Sequence, residues 1–145
     1  MTSKEITAET GESQKPKRQV HVSMAENGII TFKFEKLSRT AFEEYLAYVR
    51  KYNGTYPDPL RVLYDFRGAG MPGLPFMELH AEAFDGLIIP ESFRWAHLVD
   101  APIFKQFVRM YLSRLPATDY ENKTFTDEAE AVAWLMRSFE VDELT

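Results

Sequence analysis

Apolar and polar residues alternate with period two in two stretches near the start of the chain. Val20, Val22 and Met24 are separated by His21 and Ser23, and Ile30, Phe32 and Phe34 by Thr31 and Lys33. This periodicity predicts two strands, each with one buried face. Glu26-Asn27-Gly28 lies between them, and Asn-Gly is the strongest short-range hairpin signal. The period then becomes helical, with Phe42, Tyr45, Leu46, Val49 and Tyr52 on one side. Thr40 and Glu43 have the spacing of a capping box at its start. Asn53-Gly54 suits its end, and Pro57 and Pro59 prevent its continuation.

Val62-Leu-Tyr-Asp-Phe66 is nearly continuous in its apolar character, which predicts a central parallel strand buried on both faces. Phe76, Leu79, His80, Ala83, Phe84 and Leu87 predict a second amphipathic helix, with Glu78, Glu82 and Asp85 towards its other side. Arg94–Val99 is the next strand. Asp100-Ala-Pro102 opens a third helix, since Asp suits the N-cap and Pro the first turn. Its stripe runs from Phe104 to Leu115, and Pro116 ends it. Tyr120–Phe125 is a more polar strand, which places it at an edge. Thr126-Asp127 cap a last helix with Val132, Leu135, Met136 and Phe139 as its stripe.

The expected order is β-β-α-β-α-β-α-β-α. That is an α/β fold with a mostly parallel sheet, opening on an antiparallel hairpin and covered by helices. Residues 1–19 are polar and cannot bury enough surface to offset their ordering entropy, so they read as a disordered tail. Residues 20–140 read as one domain, and residues 141–145 as a frayed end.

Composition narrows the function classes. The chain of 145 residues has no Cys, which excludes disulfides, thiolate metal sites and Cys nucleophiles, and fits a cytoplasmic setting. There is no apolar signal region at the N-terminus and no apolar run approaching the ~20 residues of a membrane span. The net charge is −5, and residues 1–19 carry four basic against three acidic side chains, so the body is acidic. That argues against nucleic acid as a partner.

The chain resembles the STAS fold of bacterial anti-sigma-factor antagonists, and more closely the SpoIIAA-like group of small stand-alone proteins. Val62–Phe66 carries the resemblance as the central strand, together with Phe125-Thr-Asp-Glu-Ala-Glu-Ala-Val-Ala-Trp-Leu135 as the closing acidic turn and helix. The resemblance implies a non-enzymatic module. Signalling members of the family carry a phosphorylatable Ser in the loop after the central strand, where a helix N-terminus favours the phosphate. Here Arg67–Pro75 holds no Ser, Thr or Tyr, so that switch is absent from the loop. The SpoIIAA-like group also resembles Sec14-type lipid carriers, which implies an apolar-ligand alternative.

Several constellations have a chemical and a bland reading. Gly68-Ala-Gly-Met-Pro-Gly73 is literally G-x-G-x-x-G between a strand and a helix. It follows the third strand rather than the first, and its prolines stiffen it, so tight-turn geometry explains it better than a dinucleotide. Arg67 and the loop amides could hold an anion. Asp65, His97 and Asp100 near strand ends could form an acid–base group, but Asp100 serves equally as an N-cap. His21, His80 and His97 lack metal-ligand spacing, and Glu78 with Glu82 lies on another helix face from His80. No cofactor or metal is expected. Lys105, Arg109 and Arg114 read as a solvated helix face.

The expected function is therefore a non-enzymatic interaction or regulatory module. It would dock through the Arg67–Pro75 loop, with Asp65, Arg67, Gly68, Gly70, Met71, Leu74 and Phe76, and through the exposed side of the second helix, on its own copy or on another protein. Its alternative is a carrier for an apolar or acyl ligand, lined by Phe76, His80, Phe84, Leu87 and Trp95. A third reading is a small enzyme using Asp65 and His97.

Overall fold

A computed structural model describes residues 18–70, 86–88, 90–102, 106 and 121–139. Five strands form one sheet: β1 (Val20–Met24), β2 (Ile30–Phe34), β3 (Leu60–Asp65), β4 (Phe93–Leu98) and β5 (Glu121–Phe125). Helix α1 (Arg39–Lys51) links β2 to β3, and α2 (Glu128–Leu135) follows β5. The strands lie side by side in chain order. β1 is antiparallel to β2, and every other pair is parallel. This is the mixed α/β sheet that the alternation and the hairpin signal predicted. The predicted second and third helices lie outside the described residues, apart from Leu87, which was expected in the second helix but follows a turn at Gly86 and is not helical, and positions 102 and 106 of the third.

The pleat divides the core in two. Phe32, Phe34, Val62, Tyr64, Phe93 and Trp95 face α1, which inserts Ala41, Phe42, Tyr45 and Val49 among them. This face is aromatic. Tyr45 stands edge-on to Phe32 at 5.1 Å, and Phe32 stacks on Tyr64 at 5.6 Å. The Tyr45 and Tyr64 hydroxyls meet at 3.0 Å. Burial pushes the Tyr45 hydroxyl far above its ordinary pKa, and the bond to Tyr64 offsets only part of that. The opposite face is mostly aliphatic, with Leu63, Ala96, Leu98 and Phe125 against Ala131 and Leu135 of α2.

The hairpin closes through Ala25 N–H to Ile29 O at 3.0 Å and Gly28 N–H to Ala25 O at 2.9 Å. Gly28 has φ 90°, the left-handed position that a three-residue loop of this kind needs.

Some boundaries differ from the sequence expectation. The N-cap of α1 is Ser38, whose hydroxyl accepts from Ala41 N–H, rather than Thr40. Glu43 pairs instead with Arg39 one turn back, at 3.9 Å. Arg18 and Gln19, assigned to the tail from sequence, are tied to the domain. Arg18 contacts the Tyr48 hydroxyl, and Gln19 N–H donates to Glu44 at 2.9 Å. Met136, expected in the stripe of the last helix, caps it and is 39% exposed.

Candidate functional site

The site is built at the C-terminal ends of the parallel strands, where open α/β sheets place ligands and partners. Lys33 of β2 and Asp65 of β3 are partners in register. Alternation puts both on the α2 side, two positions beyond Thr31 and Leu63. Two residues after Asp65, Arg67 folds back. Its backbone N–H and its Nε both donate to Asp65 Oδ1 at 3.0 Å, and its Nη2 donates to Asp65 Oδ2 at 2.8 Å. The same Nη2 donates to Glu128 Oε1 at 2.8 Å. Lys33 Nζ lies 3.5 Å from Asp65 Oδ1 and also donates to the Arg67 carbonyl. Asp100, just beyond β4, accepts from Gly68 N–H at 2.9 Å.

The loop is therefore anchored by carboxylates from β3, from the end of β4 and from the first turn of α2. Gly68 and Gly70 have φ of 82° and 91°. A Cβ at either would meet nothing within 4 Å, so backbone conformation alone calls for glycine there. The positive charge of Arg67 is shared between two carboxylates. The hydrogen bond to Asp65 raises the already high pKa of its guanidinium. For Asp65, burial pushes the carboxyl up, but the bonds from Arg67 and the charges of Lys33 and Arg67 outweigh it and the net direction is down. Asp65 is thus held ionised and saturated, which suits an anchor and not a general base.

The pleat separates the remaining expected pair. Asp65 is in register with Leu98, while His97 is in register with Tyr64. The two side chains sit on opposite faces, so the Asp65–His97 acid–base reading does not hold. His97 is fully buried and stacks on Tyr64 at 5.0 Å. Trp95 is fully buried and stacks on Phe93 at 5.6 Å. Both belong to the aromatic core under α1. Leu87 packs against that core, whereas Ile88 is 67% exposed. Met71, Leu74, Phe76, His80 and Phe84 lie outside the described residues, as do Glu78, Glu82, Lys105, Arg109 and Arg114. Among the described residues, no three His, Asp or Glu side chains are grouped to hold a metal ion.

A void of about 20 Å³ lies beside Leu87, between α1 and the sheet, while the cavity expected between the second helix and the sheet falls outside the described residues. The void has room for roughly one water. A larger groove of about 300 Å³ lies at the other end of the sheet, between β1 and the segment Tyr52–Pro57.

Two buried-side arginines were missed as more than strand residues. Arg61 and Arg94 are neighbours in register at the start of β3 and β4. Arg61 Nε donates to Leu135 O at 2.7 Å, and Arg94 donates to the Arg137 carbonyl. The Phe139 ring lies against both guanidiniums, at 5.1 Å from Arg61 and 4.0 Å from Arg94. They cap the C-terminus of α2, whose last turn holds no basic residue of its own. That deficit, with an Arg inside an apolar strand, was the available signal.

No family model and no curated protein matches the chain. A solved structure does. It is the crystal structure of an uncharacterised protein of the DUF3478 family with a SpoIIAA-like fold, from Shewanella loihica PV-4. The two are 19% identical with a TM-score of 0.56, over 80% of this chain and 91% of that one. The fold of this chain is thus SpoIIAA-like, as the resemblance implied. At that identity the likeness speaks for the fold alone.

Proposed function

We propose that this chain is a non-enzymatic interaction module that docks a protein partner with the loop following β3, without phosphorylation of that loop. One observation carries the reading: Asp65, Glu128 and Asp100 anchor the base of the loop and leave its exposed glycine backbone facing outward. Each of Lys33, Asp65, Arg67, Asp100 and Glu128 at the loop base has a hydrogen-bond or ion-pair partner inside the molecule. Arg67 accordingly positions the loop rather than reaching for a partner's carboxylate or phosphate. Met71, Leu74 and Phe76 supply the apolar contact in this reading, and Gly68 and Gly70 let a partner approach the backbone closely.

Native mass spectrometry of the protein purified from its host tests this reading. The expected result is a complex with a second protein that the double variant Met71→Glu/Leu74→Glu no longer forms. A stoichiometric small-molecule adduct, lost on denaturation, would overturn the reading in favour of a carrier.

A further inference from the structure

The sheet has two edges, and β1 is the less guarded. The β5 edge carries Lys123, a charge of the kind that discourages strand addition. Within β1 the only ionisable side chain is His21, which faces Glu35 at 3.3 Å. Ala25 N–H bonds to Ile29 O and Glu35 N–H bonds to Gln19 O, so the odd-numbered residues of β1 turn their backbone groups towards β2. The even-numbered residues turn theirs outward. The outward N–H of Val20 is taken by Glu44 at 3.0 Å. The N–H and C=O groups of Val22 and Met24 meet no partner among the described residues. Their side chains face the 300 Å³ groove, and Met24 is 62% exposed and Tyr52 43% exposed beside it.

We propose that this edge is a self-association surface, on which β1 of a second copy pairs antiparallel about a two-fold axis at Ser23. The geometry favours a second copy over an arbitrary peptide because the open groups are self-complementary. With Ser23 opposite its symmetry mate, Val22 stands opposite the partner's Met24, and Met24 stands opposite the partner's Val22. Each of these two pairs exchanges both backbone bonds. The four bonds use the N–H and C=O groups of Val22 and Met24 in both strands and leave the Val20 N–H with Glu44. On the groove side, each Met24 lies across from the other copy's Val22 and covers that copy's groove. On the other side, Ser23 pairs with itself, a favourable cross-strand combination. The interface is isologous and closed, so association stops at the dimer. It lies apart from the loop after β3 and stands independently of the docking role given to that loop.

The test uses single substitutions in the full chain. Residue 23 would be a non-hydrogen-bonded pair across the axis, with Cα atoms about 4.5 Å apart, within disulfide reach. The chain has no native Cys, so Ser23→Cys should give a covalent dimer on mild oxidation while Lys123→Cys stays monomeric on a reducing-agent-free gel. Analytical ultracentrifugation of the unmodified protein should show a dimer. Val22→Pro removes only an outward N–H, which an edge strand tolerates, and Met24→Lys places a charge at the seam. Each should raise the dimer dissociation constant by about tenfold or more, with the circular dichroism spectrum unchanged. A monomer in the centrifuge, or a dimer indifferent to both variants and not cross-linked at position 23, overturns the proposal. If deleting residues 1–17 leaves monomers and frees this edge for an added β1 peptide, the occupant is the chain's own N-terminal segment, which also overturns it.

Discussion

The residue on which the candidate site turns is Asp65. It follows the buried run Val62-Leu63-Tyr64 at the end of β3, and its side chain is only 9% exposed while accepting three hydrogen bonds from Arg67. A carboxylate buried to this degree is tolerable only because it is paired and bonded. Removing it by Asp65→Ala takes the carboxylate from Lys33 and leaves the Arg67 guanidinium with Glu128 alone. The expected cost is about 3 kcal/mol, read from the urea midpoint. The pH dependence follows from the lowered pKa of Asp65. Its contribution to stability is fully present above the unfolded carboxyl value near 3.8 and is lost as pH falls through the lower folded value. An Asp65→Asn variant should therefore lose less stability than the unmodified chain between about pH 4 and pH 2, in denaturation curves compared at matched salt.

At the same scale, the sequence made Asp65 and Arg67 legible because they are two residues apart at the end of a strand. Glu128 was not legible. It lies 61 residues from Arg67, and only the return of α2 over the sheet brings it there. The N-cap of α1 shows the opposite failure, in which a local rule selected the wrong hydroxyl. Thr40 and Glu43 satisfy the capping-box pattern, but Glu43 is drawn to Arg39, and Ser38 has the extended backbone (φ −122°, ψ 170°) an N-cap needs.

Among the elements, α2 shows how a short helix is held by residues outside it. Its eight residues are too few to be stable alone. Asp127 accepts from Ala129 N–H at 2.8 Å at the N-terminus. Glu128 and Glu130 add negative charge there, and Arg61 and Arg94 supply positive charge at the other end. Arg94 is 1% exposed and its guanidinium stands over Phe139. Truncation by Arg94→Ala leaves helix carbonyls short of a donor and a hole beside an aromatic ring. The expected loss is about 3 kcal/mol, against about 1 kcal/mol for Asp127→Ala, measured by thermal unfolding of the two variants. Arg61 sits beside Arg94. Burial first, and then the charge of Arg94, lowers the pKa of its guanidinium. The helix carbonyls and Phe139 offset that repulsion.

For the whole molecule, the strand elements were largely legible and their grouping only in part. Alternation identified β1 and β2, and continuous apolar character identified β3 as central, because both follow from the faces a strand must bury. Neither signal reports which pieces of polar chemistry share an end of the sheet. The register does, by putting Lys33 beside Asp65 and His97 beside Tyr64. It also sets apart the two regions for which roles are proposed. The C-terminal strand ends carry a carboxylate-anchored loop, and the β1 edge carries open backbone beside an apolar groove. On the two proposals together, a single molecule pairs with its copy along one edge while presenting the loop elsewhere. Variants at Val22 and Met24 should change the dimer and spare the partner, and loop variants should do the reverse.

The most direct measurement of the docking claim is quantitative affinity capture from host extract. It would compare the unmodified chain, Met71→Glu/Leu74→Glu and Lys123→Glu at equal bait. The account predicts one protein retained at near-stoichiometric yield by the unmodified chain and by Lys123→Glu, and reduced at least about tenfold by the loop variant. Retention of that protein by the loop variant at the unmodified level would contradict the account.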